Sequence, residues 1–358
     1  MISMRLTDFV WFQRGFDLPQ SKFEEGDIPV FGSTSILGYH NIAKVKAPGI
    51  ITGRSGTLGK FQYAETDFWP HNTTLWVKDF KGNDPKFAYY LLQCLDFTVF
   101  NSGGAVPSLN RNLLNAYIVN VPPLETQKKI ASILSGYDDL IENNLKRIKI
   151  LQEMAQQTYE EWFVRMRFPG HQSATINPDT GLPEGWEKDF VFNQLGKVKS
   201  TTKIKSSEFQ NEGRIPVIDQ SRSFIAGFTN DKSALIEYVG VPYIVFGDHT
   251  RILKFINFDF ARGADGTQIV VSKNPRMPQH LFYFSLLNID LSNYHYARHY
   301  KYLKDSEIVI PAENIAKNFE QLAKKNFDAI QNLRNQNQRL REARDILLPR
   351  LMMGMVEV

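Results

Sequence analysis

The spacing of apolar positions gives this chain two textures, each of which occurs twice. Over residues 1–121 the apolar residues come in short runs: Ile28-Pro29-Val30-Phe31, Gly49-Ile50-Ile51-Thr52 and Thr74-Leu75-Trp76-Val77. Runs this short, separated by Gly and Pro, predict strands joined by loops. One stretch, Pro85-Lys86-Phe87-Ala88-Tyr89-Tyr90-Leu91-Leu92, predicts a short helix. At Pro122-Pro123 the texture changes, because two prolines cannot continue a strand but pre-set the first turn of a helix. Apolar residues then recur at Ile130, Leu134, Tyr137, Ile141, Ile148, Leu151, Ala155 and Trp162, which is heptad spacing. Residues 124–163 contain no Pro and one Gly, Gly136. Forty residues at 1.5 Å each predict a helix of about 60 Å. Asn144 falls on the apolar seam, where a buried amide fixes register at some cost in stability.

Phe168-Pro169-Gly170 ends this pattern, and residues 168–187, rich in Pro, Gly, Ser, Thr and Asn, read as a linker. The strand-and-turn texture returns over residues 188–311, with Val241-Pro242-Tyr243-Ile244-Val245-Phe246 and Gln268-Ile269-Val270-Val271 its clearest strands. From Ala312 a second long helix is predicted. Phe319, Leu333, Leu340 and Leu347 form one heptad column, flanked by Leu322, Ile330 and Leu351. Asn326, Gln336 and Asn337 lie within or beside it. A lone helix this polar is marginal in water, so packing must hold it. The expected partner is the other long helix of the same chain, antiparallel because the intervening domain brings the chain back; a homodimeric coiled coil is the alternative.

Local sequence repeats in the same order. Glu25-Gly26-Asp27-Ile28-Pro29-Val30 returns as Glu212-Gly213-Arg214-Ile215-Pro216-Val217, an offset of 187 from Val30 to Val217. Ile36-Leu37-Gly38-Tyr39-His40-Asn41 returns as Ile225-Ala226-Gly227-Phe228-Thr229-Asn230, and Pro122 as Pro311, both at an offset of 189. An ordered series at nearly fixed offset predicts duplication of a whole domain with its helix. The expected fold class is α+β: two α/β domains alternating with two long helices that pair as an antiparallel coiled coil, with a pseudo-twofold internal repeat. The predicted boundaries are 1–121, 122–167, 168–187, 188–311 and 312–358.

Composition narrows the class. The 358 residues are 42% hydrophobic and 22% charged, as in globular rather than disordered chains. The net charge of +4 permits nucleic acid without requiring it. The 26 Phe and 14 Tyr suit either the cores of small β-rich domains or base stacking. A single cysteine, Cys94, excludes a disulfide framework and fits a reducing cytosol; Leu91, Leu92 and Leu95 around it suggest a packing role. No apolar stretch approaches a membrane span and no signal-peptide pattern opens the chain, so a cytoplasmic protein is expected.

Catalytic motifs fail in detail. Amino-methyltransferases carry Asn, Asp or Ser, then Pro-Pro and an aromatic residue; in Asn120-Val121-Pro122-Pro123-Leu124, Val121 interrupts the motif and Leu124 replaces the aromatic. Gly53 and Gly59 have five residues between them, not the four of a phosphate-binding loop, and Phe61 follows Lys60. Asp79-Phe80-Lys81 and Asp84-Pro85-Lys86 match only the short part of a nuclease motif. The seven His show no zinc spacing. No catalytic or metal-binding residue is assigned.

Several segments suit DNA. Gly53-Arg54-Ser55-Gly56-Thr57-Leu58-Gly59-Lys60 follows a strand; its glycines permit close approach, and Arg54, Ser55 and Lys60 can meet phosphates or base edges. Phe246-Gly247-Asp248-His249-Thr250-Arg251 occupies the corresponding place, contributing His249 and Arg251. Ser33 and Thr34 follow the first repeated strand, as Gln220 and Arg222 follow its copy. Asn293-Tyr294-His295-Tyr296-Ala297-Arg298-His299-Tyr300-Lys301 interleaves aromatics with His295, Arg298, His299 and Lys301. Its counterpart, residues 101–111, is polar and Gly-rich and offers Asn101, Ser108 and Asn110. Solvated turns and a packed amphipathic segment are the competing readings.

Three segments carry a family resemblance: Val121-Pro122-Pro123-Leu124-Glu125-Thr126-Gln127-Lys128-Lys129-Ile130-Ala131, Leu182-Pro183-Glu184-Gly185-Trp186, and Leu340-Arg341-Glu342-Ala343-Arg344-Asp345-Ile346-Leu347-Leu348-Pro349-Arg350-Leu351-Met352-Met353-Gly354. With the duplication, they resemble the helix and domain-start patterns of specificity subunits of Type I restriction-modification enzymes. The chain departs from the pattern in two places: no domain-start motif precedes the first repeat, and Pro311-Ala312-Glu313-Asn314 is a degenerate helix opening. The resemblance implies two target recognition domains that each read half of a bipartite site in double-stranded DNA. It implies helices that act as a spacer and dock two modification subunits, which bind S-adenosylmethionine and methylate adenine. Restriction subunits, using ATP and Mg, would join them, and this chain would itself be non-catalytic and without cofactor. A stand-alone DNA methyltransferase or nuclease, and a coiled-coil adaptor that binds no DNA, are the alternatives.

Overall fold

The computed structural model describes residues 1–54, 58–100, 109, 114, 117–264, 266–292 and 298–358. The chain divides into a first unit, Met1–Asn144 with Gln336–Val358, and a second, Leu145–Asn335. Both divisions fall inside predicted long helices rather than at domain edges.

The first unit begins with β1 (Ile2–Arg5), α1 (Leu6–Phe9), β2 (Trp11–Arg14), β3 (Ile28–Phe31), β4 (Ile36–His40), β5 (Gly49–Gly53), β6 (Phe61–Ala64), β7 (Trp69–Pro70), β8 (Thr74–Asp79), α2 (Pro85–Gln93), β9 (Ile118–Val121) and α3 (Leu124–Tyr159). β1 pairs antiparallel with β9, Ile2 opposite Val121. A second sheet has the order β2-β8-β5-β6 and a third the order β4-β3-β7, in which β3 and β7 run parallel. The apolar runs build these sheets: Ile50, Ile51, Leu75 and Val77 are buried on them. Leu6, Phe9, Phe87, Tyr90 and Leu134 close the core from the helices, and each large apolar side chain contributes about 1.5–3 kcal/mol by leaving water.

The two nuclease-like triplets have structural roles. Asp84 caps α2 by accepting from Phe87 N at 2.8 Å, and Asp79 pairs with Lys81 at 2.9 Å in a turn. Cys94 lies just past α2 and is exposed, contrary to the packing role expected of it; the apolar face of α2 ends at Leu92.

The second unit adds β10 (Glu187–Phe190), α4 (Val191–Gln194), β11 (Ile215–Ile218), β12 (Gly227–Thr229), β13 (Leu235–Ile236), β14 (Tyr243–Gly247), β15 (Leu253–Ile256), β16 (Phe260–Arg262), β17 (Thr267–Val270), α5 (Gln279–Leu287), α6 (His299–Lys304), β18 (Glu307–Ile310) and α7 (Glu313–Met352). Its pairings follow those of the first unit. β10 pairs antiparallel with β18, β11 lies between antiparallel β12 and parallel β16, and β14 lies between β15 and β17. The stretch 168–187 is tied down at its ends. Phe168, Leu182 and Trp186 are buried, with the Phe168 and Trp186 rings 4.9 Å apart.

The first long helix does not stay α-helical to residue 163. A π turn follows at Glu160–Val164, with Arg165 N donating to Glu160 O at 2.8 Å. The wider turn accompanies dense aromatic packing, in which Phe163 meets Phe319 at 5.2 Å and Tyr159 stacks on Phe284 at 5.9 Å. Leu322, expected beside the stripe of α7, is 46% exposed; the buried stripe runs through Phe319, Ala323, Phe327, Ile330 and Leu333 instead.

The long helices meet within each unit. In the first, Asn144 Nδ2 donates to Asn337 Oδ1 at 2.9 Å, and both residues are buried. Asp138 on α3 accepts from the Tyr90 hydroxyl at 2.6 Å and from Arg344 of α7 at 2.5 Å. Burial, then this carboxylate, raises the Tyr90 pKa well above the ordinary tyrosine range. In the second unit, Ile148, Ile330 and Leu333 form a buried cluster with Leu151.

Two different devices fix the helix openings. Gln127 Oε1 accepts from Asp84 N at 3.0 Å, and Gln127 Nε2 donates to Asn83 Oδ1 and to Pro122 O, each at 2.9 Å. The degenerate opening at Pro311 lacks this Gln. There the Arg276 guanidinium donates to Pro311 O at 2.9 Å, Ile310 O at 3.1 Å and Gly185 O at 2.6 Å. It also pairs with Glu187 at 2.8 Å.

Candidate nucleic-acid interface

In the first unit, β3 and β7 run parallel, so the loops that follow them leave the sheet at the same edge. The loop after β5 joins them through one carbonyl. Thr73 O accepts from Arg54 N at 2.9 Å and from Ser33 Oγ at 3.2 Å. The His71-Asn72-Thr73 turn is braced in turn: the His71 ring bonds Thr73 Oγ1 at 3.0 Å and Leu18 O at 3.2 Å. Gly15 is needed here, because a Cβ would lie 2.0 Å from His71 O. Ser33 and Arg54 are half-buried, and Thr34 and Lys60 are exposed. Leu109 N donates to Arg54 O at 2.8 Å, which brings one residue of the predicted polar segment to the same rim. Ser55, Asn101, Ser108 and Asn110 lie outside the described residues.

The second unit repeats this construction with different side chains. Asp248 N donates to Gly266 O at 2.6 Å, the counterpart of the Arg54–Thr73 bond. The structural counterpart of Arg54 is therefore Asp248. Gln220 fastens the adjoining loop: its Oε1 accepts from His249 N at 3.0 Å and its backbone O from Thr250 Oγ1 at 2.7 Å. Gly266 has φ +69°, and a Cβ there would press on Gln220 and His249.

Buried charges brace this rim. Asp248 accepts from Tyr300 N at 2.8 Å through its carboxylate and from His299 N at 2.9 Å through its carbonyl, which anchors the start of α6. The Lys254 ammonium, almost wholly buried, donates to Ser223 O at 2.5 Å and lies 3.6 Å from Asp219. Burial pushes its pKa below the ordinary lysine range, against the pull of Asp219. Arg262, also held low by burial, donates to Thr267 O at 2.7 Å.

Of the second unit's predicted residues, Gln220, His249 and Arg251 come together on these loops, with the exposed Arg222 on the Gln220 loop. Arg251 turns its guanidinium to Leu291 O at 3.0 Å. His299 is buried, its ring bonding Asp248 O at 2.8 Å, so it supports the loop from inside instead of facing solvent as the interleaved pattern suggested. Arg298 and Lys301 are exposed at the start of α6, and His295 lies outside the described residues. Sequence reasoning missed His71, Thr73, Asp219, Asp248 and Lys254. Asp219 and Asp248 had a signal in position, since each lies just after a strand that the repeated segments placed; His71, Thr73 and Lys254 had none. Among the described residues no His, Cys, Asp or Glu cluster could hold a metal, and no helix is long and apolar enough to cross a membrane.

The two units thus share their strand pairing, and each carries a rim of strand-end loops. Residues 2–153 match the family described as Type I restriction modification DNA specificity domain. The chain is similar to the MjaIX specificity subunit of a Type I restriction enzyme from Methanocaldococcus jannaschii, with 28% identity over 76% of this chain and 69% of that protein. It also resembles the EcoR124I/EcoR124II specificity subunit of Escherichia coli, with 26% identity over 29% of this chain and 27% of the other. Among solved structures, the S subunit of a Type I restriction-modification system from M. genitalium has a similar fold. Its TM-score is 0.63 at 16% identity, covering 98% of this chain and 95% of that one.

Proposed function

We propose that this chain is the DNA-reading, non-catalytic subunit of a Type I restriction-modification system. Each unit reads one half of a bipartite site in double-stranded DNA. The observation that carries the reading is the shared rim: one backbone bond, Arg54 to Thr73 and Asp248 to Gly266, recurs in a matched frame while the side chains around it differ. A common frame with unlike edges suits two recognition surfaces of different preference. The candidate readers are Ser33, Thr34, Arg54 and Lys60 in the first unit, and Gln220, Arg222, His249, Arg251, Arg298 and Lys301 in the second.

The long helices serve as an antiparallel coiled coil in a pseudo-twofold repeat. They set the gap between half-sites and dock two modification subunits, which supply S-adenosylmethionine and methylate adenine; restriction subunits with ATP and Mg complete the cytoplasmic complex. The Asn144–Asn337 bond and the Ile148, Ile330 and Leu333 cluster support the pairing. The test is duplex binding by the chain with its modification subunits across a salt series. The reading expects salt-dependent binding that discriminates between sequences. Binding indifferent to sequence would favour an adaptor, and methyl transfer by the chain alone would favour a stand-alone enzyme.

A further inference from the structure

The segment between α4 and β11 contains Lys197, Lys199, Lys203 and Lys205, with no acidic residue from Leu195 to Ser207. All four lysines are exposed, and none makes an ion pair or hydrogen bond through its side chain among the described residues. The segment is nevertheless held in place. Ile204 is buried; its N donates to Arg262 O at 3.0 Å, and its O accepts from Ala264 N at 2.6 Å. Thr202 Oγ1 accepts from Ser233 Oγ at 2.9 Å. The bonds at Ile204 attach the segment to Arg262 and Ala264, which precede Gly266, whose carbonyl accepts from Asp248 N. A run of unneutralised cations is thus fastened to the edge of the second unit's rim. The corresponding stretch of the first unit, from Val10 to Lys22, has two cations, Arg14 and Lys22, and one acid, Asp17.

The geometry points to Lys197, Lys199, Lys203 and Lys205 as a phosphate-contacting strip. It grips the duplex backbone beside the half-site read by the second unit and contributes affinity without sequence preference. The inference rests on the DNA-reading function proposed above. Four like charges on an extended, anchored segment repel one another, and a polyanion removes that repulsion. Ammonium groups meet phosphates as point charges and carry no base information. The first unit has no equivalent strip, so the two units hold DNA unequally: the second supplies most of the salt-sensitive grip.

The test compares K197Q/K199Q and K203Q/K205Q with the unchanged protein in the complex with modification subunits. Binding is measured across a salt series on a duplex carrying the recognised site and on one with that site scrambled. Each lost phosphate contact should flatten the slope of log affinity against log salt by about 0.9. Affinity should fall by the same factor on both duplexes, and the methylated motif should stay the same. K78Q/K81Q, which removes two exposed lysines at the far end of β8, should leave the slope unchanged. An unchanged slope in both strip variants would overturn the proposal, as would a loss confined to the recognised duplex, which would make these lysines base readers. If the unchanged protein showed no salt-dependent binding to either duplex, the DNA-reading function would fail, and the strip with it.

Discussion

Asn144 and Asn337 form a buried amide pair between α3 and α7, and the bond can be tested by substitution. Asn144 Nδ2 donates to Asn337 Oδ1 at 2.9 Å, and Asn337 Nδ2 reaches Ile141 O at 3.4 Å. Their exposures, 6% and 2%, leave water little access to either amide. Asn144→Leu removes one partner and strands the other, so the cost is the lost bond plus the desolvation of an orphaned amide. That amounts to about 1–3 kcal/mol, and Asn337→Leu should cost a similar amount. Asn144→Leu with Asn337→Leu removes both polar groups and buries apolar surface, so stability should return to or exceed that of the parent. The singles and the double therefore do not add, and the coupling equals the sum of the two single costs, about 2–6 kcal/mol.

A chain of two units will not unfold in one step, so native-state hydrogen exchange at backbone amides near residues 138–148 is the better assay than a global melt. A cost of 2 kcal/mol should speed exchange there by about thirtyfold in each single variant and leave the double near the parent rate. If the double exchanged as fast as the two singles combined predict, the seam would not be closed by this pair and the argument would fail.

Three other outcomes follow from named contacts. Arg276→Ala should destabilise the second unit by about 1.5–3 kcal/mol, because Pro311, Ile310 and Gly185 lose charge-assisted donors; exchange at the start of α7 reads this, and Lys should restore only part of it. Asp248→Ala should free the start of α6 and the loop carrying His249, relaxing sequence preference in one half of the site and sparing the other; methylation mapping that showed both halves relaxed equally would refute a local role. Inserting four residues within 141–154 adds about 6 Å of helix, or about two base pairs of duplex, so the gap should change while both half-sites persist. New half-sites at the old gap would show that helix length does not set the spacing.

Much of the frame was legible because it depends on periodicity. The strands at Ile28, Gly49 and Thr74, the helix at Pro85, and the seam position of Asn144 all follow from apolar spacing and breakers. Periodicity failed where packing decides. Leu322 has an apolar side chain but lies one position off the stripe that Ala323 occupies. The helix near residue 160 widens to seat Tyr159 and Phe163 against Phe284 and Phe319. The rims were legible only by location. Arg54 and Gln220 were found as residues after strands, but the partners that fix them are set by long-range bonds no local pattern encodes: Thr73, beside the β8 residue that pairs with Gly53, for Arg54, and His249 N and Thr250 Oγ1 for Gln220. His299 misled for the same reason: its aromatic, cationic neighbourhood suggested a surface, whereas Asp248 draws it inside.

The central claim, that two unlike rims on one chain each read half of a DNA site, is tested most directly by genome-wide adenine-methylation sequencing of host cells. The cells would carry the unchanged chain, Arg54→Ala, Arg298→Ala, or no copy of the gene. The account predicts a two-part motif with a fixed gap that vanishes with the gene, relaxes in one half with Arg54→Ala and relaxes in the other half with Arg298→Ala. A methylation pattern indifferent to the gene, or a single uninterrupted motif altered in the same way by both substitutions, would contradict it.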